Sequence, residues 1–145
     1  MKVDIKVLGV PELEKQLGNI VEKTQKTIVK GALSKESKRV RSRIADAITR
    51  LGLIKTGKML AAYAKAKIKN ASKYKNFIRL GIENPTREEL GISPDDKHYY
   101  PNALEYGKHG KGAIPFIRPT VDGNKEKSFA DIASDIGKGI EKAVK

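Results

Sequence analysis

The two histidines, His98 and His109, stand near Asp95, Asp96 and Glu105 in sequence. These are the residue types of a His/carboxylate metal site or an acid–base pair. Their spacing matches no metal-ligand or catalytic pattern, and both imidazoles fall in polar stretches where an ordinary solvated side chain is expected. Ser34, Ser37, Ser42 and Ser72 lack the flanking glycines of a nucleophile elbow. No carboxylate pair is flanked by the aromatic residues of a sugar-binding cleft. The chain has no cysteine, which excludes thiol catalysis, disulfides and cysteine-based metal sites. The expectation is a protein with no catalytic residue, no metal and no cofactor, whose function lies in its surfaces.

Charge is the second chemical resource. The 145 residues carry 30 Lys+Arg against 17 Asp+Glu, a formal net charge of +13. Residues 1–82 hold 20 basic and 6 acidic side chains, and residues 83–145 hold 10 and 11. Between Lys26 and Arg79 only Glu36 and Asp46 oppose a basic series. That series includes Lys38, Arg39, Arg41, Arg43, Lys65, Lys67, Lys69, Lys73 and Lys75, read here as a surface for an anionic partner, nucleic acid or acidic protein. A Lys-rich face also keeps a protein soluble and guards strand edges. Base-stacking aromatics are sparse in this region, limited to Tyr63, Tyr74 and Phe77, and no zinc-finger, RNP or phosphate-loop motif accompanies the charge.

These residues must be positioned by helices and strands that the periodicity predicts. Val3, Ile5 and Val7 alternate with Lys2, Asp4 and Lys6, the period of a half-buried strand, and Gly9 ends it. Pro11 suits a helix start, and Leu13, Leu17, Ile20, Val21, Thr24 and Ile28 then recur at three- and four-residue spacing. The stripe continues through Ala32, Leu33, Val40, Ile44, Ala47, Ile48 and Leu51, so the helix runs to about Arg50 or bends at Gly31, and Gly52 stops it. After a helical turn at Met59 and Leu60, the alternation Ala62, Ala64, Ala66, Ile68 reads as a strand, with a helix as the alternative. With Ile78, Leu80 and Ile82 it forms a hairpin.

Residues 83–98 read as a long flexible loop that becomes an assembly contact. A short helix is expected over Tyr100–Tyr106 and a glycine- and lysine-rich connection over 107–113. Ile114 to Val121 is expected to be extended, fixed by Pro115 and Pro119 with Phe116 turned inward. A final helix from about Gly123 places Phe129, Ile132, Ile136 and Ile140 on one face and frays near Gly137 and Gly139. The composition, 39% hydrophobic and 6% aromatic without Trp, allows a modest core in one domain spanning 1–145. The predicted class is α+β: a long N-terminal amphipathic helix and a C-terminal helix on a small, mostly antiparallel sheet. No signal peptide or membrane-spanning run is found, so a soluble protein made in the cytoplasm is expected.

Four segments in order carry a resemblance. Val7-Leu8-Gly9-Val10-Pro11-Glu12-Leu13 resembles a strand, glycine turn and helix start; Thr56-Gly57-Lys58-Met59-Leu60 is similar to a Thr-Gly-x-Leu element. Tyr99-Tyr100 through Leu104-Glu105-Tyr106-Gly107 resembles a Tyr…Val-Glu-Phe-Gly-Thr stretch, and Pro115-Phe116-Ile117-Arg118-Pro119 a Pro-Phe-Leu-Arg-Pro-Ala signature. Together they resemble the tailed-bacteriophage family of minor tail and tail-completion proteins, which includes protein Z of phage lambda and its siphophage relatives. Lys108 and Thr120 depart from the pattern. The resemblance implies a non-enzymatic structural protein of the virion, made in the host cytoplasm and acting at the head-to-tail junction or tail. The implied partners are other neck and tail proteins, copies of itself in a ring, and genomic DNA, with no membrane. The residues themselves leave a second reading, a small basic nucleic-acid-binding protein. For Glu105 they favour an ion pair with Arg118 or a bond to a backbone amide over a contact with a partner.

Overall fold

A computed structural model describes residues 22–70 and 80–145, together with Lys15 and Gly18, both helical. The strand expected at Val3–Val7, the turn at Gly9, the helix start at Pro11 and the positions Lys73 and Lys75 lie outside the described residues.

Helix α1, Glu22–Arg50, is 29 residues long and passes Gly31 without interruption. Its inward stripe includes Ala32, Ile44, Ala47 and Ile48, the spacing that brings side chains to one helix face. Its end is chemically defined. Leu53 N donates to Ile48 O at 3.0 Å and Gly52 N to Thr49 O at 3.1 Å, with Gly52 at φ 65°. This Schellman pair satisfies carbonyls that the last turn leaves without partners, and its left-handed residue favours glycine.

Helix α2, Lys58–Lys65, lies against α1 and is followed by an antiparallel pair, β1 (Ile68–Asn70) with β2 (Leu80–Ile82), in register Ile68↔Ile82. Then come α3 (Tyr100–Tyr106), α4 (Arg118–Gly123) and α5 (Lys125–Val144). Helix α5 lies along α1, and the pairings Lys35–Asp135 and Arg43–Asp131 make the two helices antiparallel. Gly139 allows this approach, because a Cβ there would stand 2.6 Å from Ile28 Cγ2. Helix propensity alone marks that glycine as a weak point, yet the helix continues past it to Val144.

The core joins Ile44, Ala47 and Ile48 of α1, Met59 and Tyr63 of α2, Leu90, Ile92 and Phe116. Phe116 is 1% exposed, and its ring meets Tyr63 edge-on at 5.3 Å.

The expected α+β architecture is not what the chain adopts. The protein is mostly helical, strand is confined to the one three-residue pair among the described residues, and no sheet carries the helices. The error lies at Ala62–Ala66. That run alternates, but Met59, Tyr63 and Ala66 also recur at helical spacing, and all three are buried. Ala and Lys favour the helix intrinsically, so the period of 3.6 prevails. The extended segment expected over Ile114–Val121 likewise ends early. Pro119 occupies the first turn of α4, where its missing N–H costs nothing and its fixed φ suits a helix.

The 83–98 segment has no helix or strand, yet Pro85, Leu90 and Ile92 are buried. Its turn at Thr86–Gly91 begins with a reciprocal cap. Thr86 N donates to Glu89 Oε2 at 2.8 Å and Glu89 N to Thr86 Oγ1 at 3.2 Å. Only the stretch from Ser93 to His98 is continuously exposed.

Candidate functional site

The two later resemblance segments meet around one carboxylate. Glu105 sits on the last turn of α3 and is 3% exposed. Beyond it Gly107, at φ 81°, turns the chain, and a Cβ there would crowd Ala113 N at 3.2 Å. Lys108 and Lys111 exchange backbone hydrogen bonds across a tight reversal, and Ile114 N donates to Leu104 O at 2.8 Å. The chain thus returns beside α3.

Glu105 Oε2 accepts from the amides of Phe116 and Ile117, both at 2.9 Å. Its Oε1 accepts from Arg118 N at 2.9 Å and Arg118 Nε at 3.2 Å, while Arg118 Nη2 donates to the Glu105 carbonyl at 3.1 Å. Both sequence alternatives for Glu105, the arginine pair and the amide bond, are therefore realised together. Burial works to raise the carboxyl's pKa, but the amides of Ile117, Arg118 and Phe116 and the Arg118 side chain outweigh it, and the group is held below its ordinary value. Four donors occupy the carboxylate's acceptor positions. It acts as a clasp that fixes the start of α4.

Around the clasp, Thr120 Oγ1 donates to Phe116 O at 2.7 Å, which satisfies a buried hydroxyl. The Arg118 guanidinium lies 5.0 Å from the ring centre of Tyr106, itself 67% exposed. Pro101 is buried in the first turn of α3, and Tyr100 packs partly against the core. Pro115 is half-buried and Pro119 exposed. The Thr56 segment stands apart from the clasp: Gly57, at φ 72°, precedes α2, Thr56 Oγ1 accepts weakly from Lys58 N at 3.4 Å, and Leu60 packs on the core.

The basic series divides. Arg41 Nη1 donates to Ala66 O at 2.9 Å, tying α1 to the end of α2. Arg43 bridges Glu36 Oε1 at 2.9 Å and Asp131 Oδ2 at 3.3 Å, and also donates to Ser128 Oγ. Arg39 pairs with Glu36 at 3.0 Å and with Asp135 Oδ2 at 2.9 Å, and Lys35 reaches Asp135 Oδ1 at 3.3 Å. Burial pushes the Asp135 carboxyl up, and the bonds from Arg39 and Lys35 bring it below its ordinary value. Three arginines read as partner-facing are thus committed within the molecule. Lys38, Lys65 and Lys67 are exposed, Lys69 lies in β1.

The network between α1 and α5 is the feature that the sequence reading missed. Its signal was available: Lys35, Arg39 and Arg43 recur every four residues, as do Asp131 and Asp135, giving two stripes of opposite sign. His98 and His109 are exposed, and among the described residues no group of three or more metal-ligating side chains converges. No helix among the described residues is long and apolar enough to cross a membrane. Comparison with protein-family models, curated proteins and solved structures finds no match to this chain.

Proposed function

We propose that this protein is a structural virion component of a tailed phage that acts in tail completion or head-to-tail joining, within a ring-like assembly at the neck. The observation that carries this reading is the Glu105 clasp. The two segments most similar to the phage family are separate in sequence, and they form one hydrogen-bonded unit that holds Tyr106 and Arg118 at the surface. Tyrosine and arginine on a rigid support are the residue types that dominate protein–protein contacts. Ile114 and Val121, 45% and 43% exposed, add apolar surface to the same region. A cyclic assembly buries such surface in head-to-tail contacts that close by rotation.

The test is electron microscopy of particles from a parent genome with an early stop codon in this gene, with the wild-type gene supplied in trans. Filled heads beside unattached or defective tails, restored by the supplied gene, are the expected outcome. Normal infectious virions from the interrupted genome would overturn the proposal. The second reading, a nucleic-acid-binding protein, draws on the exposed lysines Lys38, Lys65 and Lys67.

A further inference from the structure

Two exposed surfaces of opposite charge flank α3. Beyond its C-terminal end the chain is exposed from Lys108 to Ile114. This finger is a tight reversal: Lys111 N donates to Lys108 O at 2.8 Å and Lys108 N to Lys111 O at 3.2 Å, with Gly110 at φ 78°. From Tyr106 to Arg118 the sequence holds Lys108, Lys111 and Arg118 and no carboxylate. Before the N-terminal end of α3 lies the exposed stretch Ser93–His98. Arg87 Nη1 donates to Asp96 O, which sets the turn bearing Glu88 against the stretch bearing Asp95. Asp96 N donates to Ser93 O at 3.0 Å, and the Asp96 carboxylate accepts from His98 N at 2.9 Å. Between Glu88 and His98 the one opposing cation is Lys97. The side chains of Glu88, Asp95, Lys108 and Lys111 have no ion pair or hydrogen bond among the described residues.

We propose that the finger of one molecule seats on the acidic surface of a second copy, head to tail, with Lys108 and Lys111 meeting Glu88 and Asp95. Charge complementarity selects a second copy. Each molecule carries both surfaces, and neither is satisfied within its own chain, because each is held in place by its own hydrogen bonds. Helix α3 rises ~10 Å over its length, and the two surfaces leave it at opposite ends. A contact between two different surfaces is heterologous, and repeating its rotation gives a closed ring or a filament. Exposed Ile114 beside the lysines and exposed Pro94 beside Asp95 add apolar area, which a phosphate backbone does not match. Opposite charges also steer the encounter and fix its register. This contact rests on the ring-like assembly proposed above and supplies its interface. Because it forms between purified chains, its absence there and a normal virion from the interrupted genome are distinguishable failures.

Sedimentation velocity of the purified chain over a concentration series reads the contact. The wild type is expected to grow past the dimer in about 50 mM salt and to shift toward monomer as salt rises. Two reversed chains, Lys108→Glu with Lys111→Glu and Glu88→Lys with Asp95→Lys, should each weaken self-association by at least about tenfold. All four positions are exposed and lie outside the Glu105 clasp, and circular dichroism checks that each chain keeps its helix content. An equimolar mixture of the two reversed chains, and one chain carrying all four substitutions, should associate again, because every contact is then charge-matched. A monomeric wild type, a wild type that stops at the dimer, an unaffected reversed chain or a lack of rescue would each overturn the proposal. A finger reversal that leaves sedimentation unchanged but weakens a DNA gel shift would overturn it too, and would assign the finger to nucleic acid.

Discussion

At the residue scale, the Glu105 carboxylate concentrates more hydrogen bonds than any other described side chain. Glu105→Gln keeps the shape but leaves one oxygen facing several donors and places an N–H₂ against others. The expected cost is about 2–4 kcal/mol, read as a lower urea midpoint at neutral pH with unchanged slope. The same group fixes a pH dependence. Its folded pKa lies below the ordinary 4.5, so its stabilisation is complete above that value and lost as pH falls through the folded pKa. Wild type and Glu105→Gln should therefore converge in stability as the pH is lowered from about 5 toward 3. Urea titrations at stepped pH check this; a constant gap would show that the carboxylate's charge contributes nothing.

At the element scale, one glycine within α1 and one in its C-terminal cap have opposite consequences. Gly31 is mid-helix and exposed, and a Cβ there meets nothing within 4 Å. Gly31→Ala should stabilise by about 1 kcal/mol through helix propensity alone. Gly52 holds the left-handed position of the cap, so Gly52→Ala should destabilise by about 1 kcal/mol. Thermal unfolding of both variants separates the effects by sign. The α1–α5 network supplies a second prediction. The Glu36 side chain is 6% exposed and Arg43 18% exposed, so removing one partner strands a largely desolvated charge. A cycle of Glu36→Gln, Arg43→Met and the double variant should return a coupling of about 1–3 kcal/mol. Additive effects would mean that the pair is not a unit.

At the scale of the whole molecule, the net charge of +13 overstates the surface open to an anionic partner. The acidic stripe of α5 neutralises Arg39 and Arg43, and Arg41 is tied to the backbone. Generic attraction to duplex DNA in dilute buffer should therefore be lost between about 50 and 200 mM salt. Gel shifts against salt check this. Lys65→Gln and Lys67→Gln should each reduce the salt slope by about one unit, whereas Arg43→Met should leave it unchanged. Tight binding retained at physiological ionic strength would promote the nucleic-acid reading over the phage one.

The residues alone determined the features whose causes are local. The part of the α1 stripe from Ala32 to Ile48, the stop at Gly52 and the short helix at Tyr100–Tyr106 follow from helical spacing and glycine geometry and stand where they were expected, whereas Leu51, expected on the stripe, is exposed. The two bonding options for Glu105 were legible too, because Arg118 and the amides before it lay within a short return of the chain. Tertiary structure decided what depends on neighbours distant in sequence. Ala62–Ala66 satisfies both periods, and only the core surrounding Met59 and Tyr63 selects the helix. Whether Arg39 and Arg43 face a partner or the interior was equally open along the chain, since a charge shows its sign there but not its counter-ion. The antiparallel docking of α5 provides Asp131 and Asp135 some ninety residues away, and that proximity is a property of packing alone.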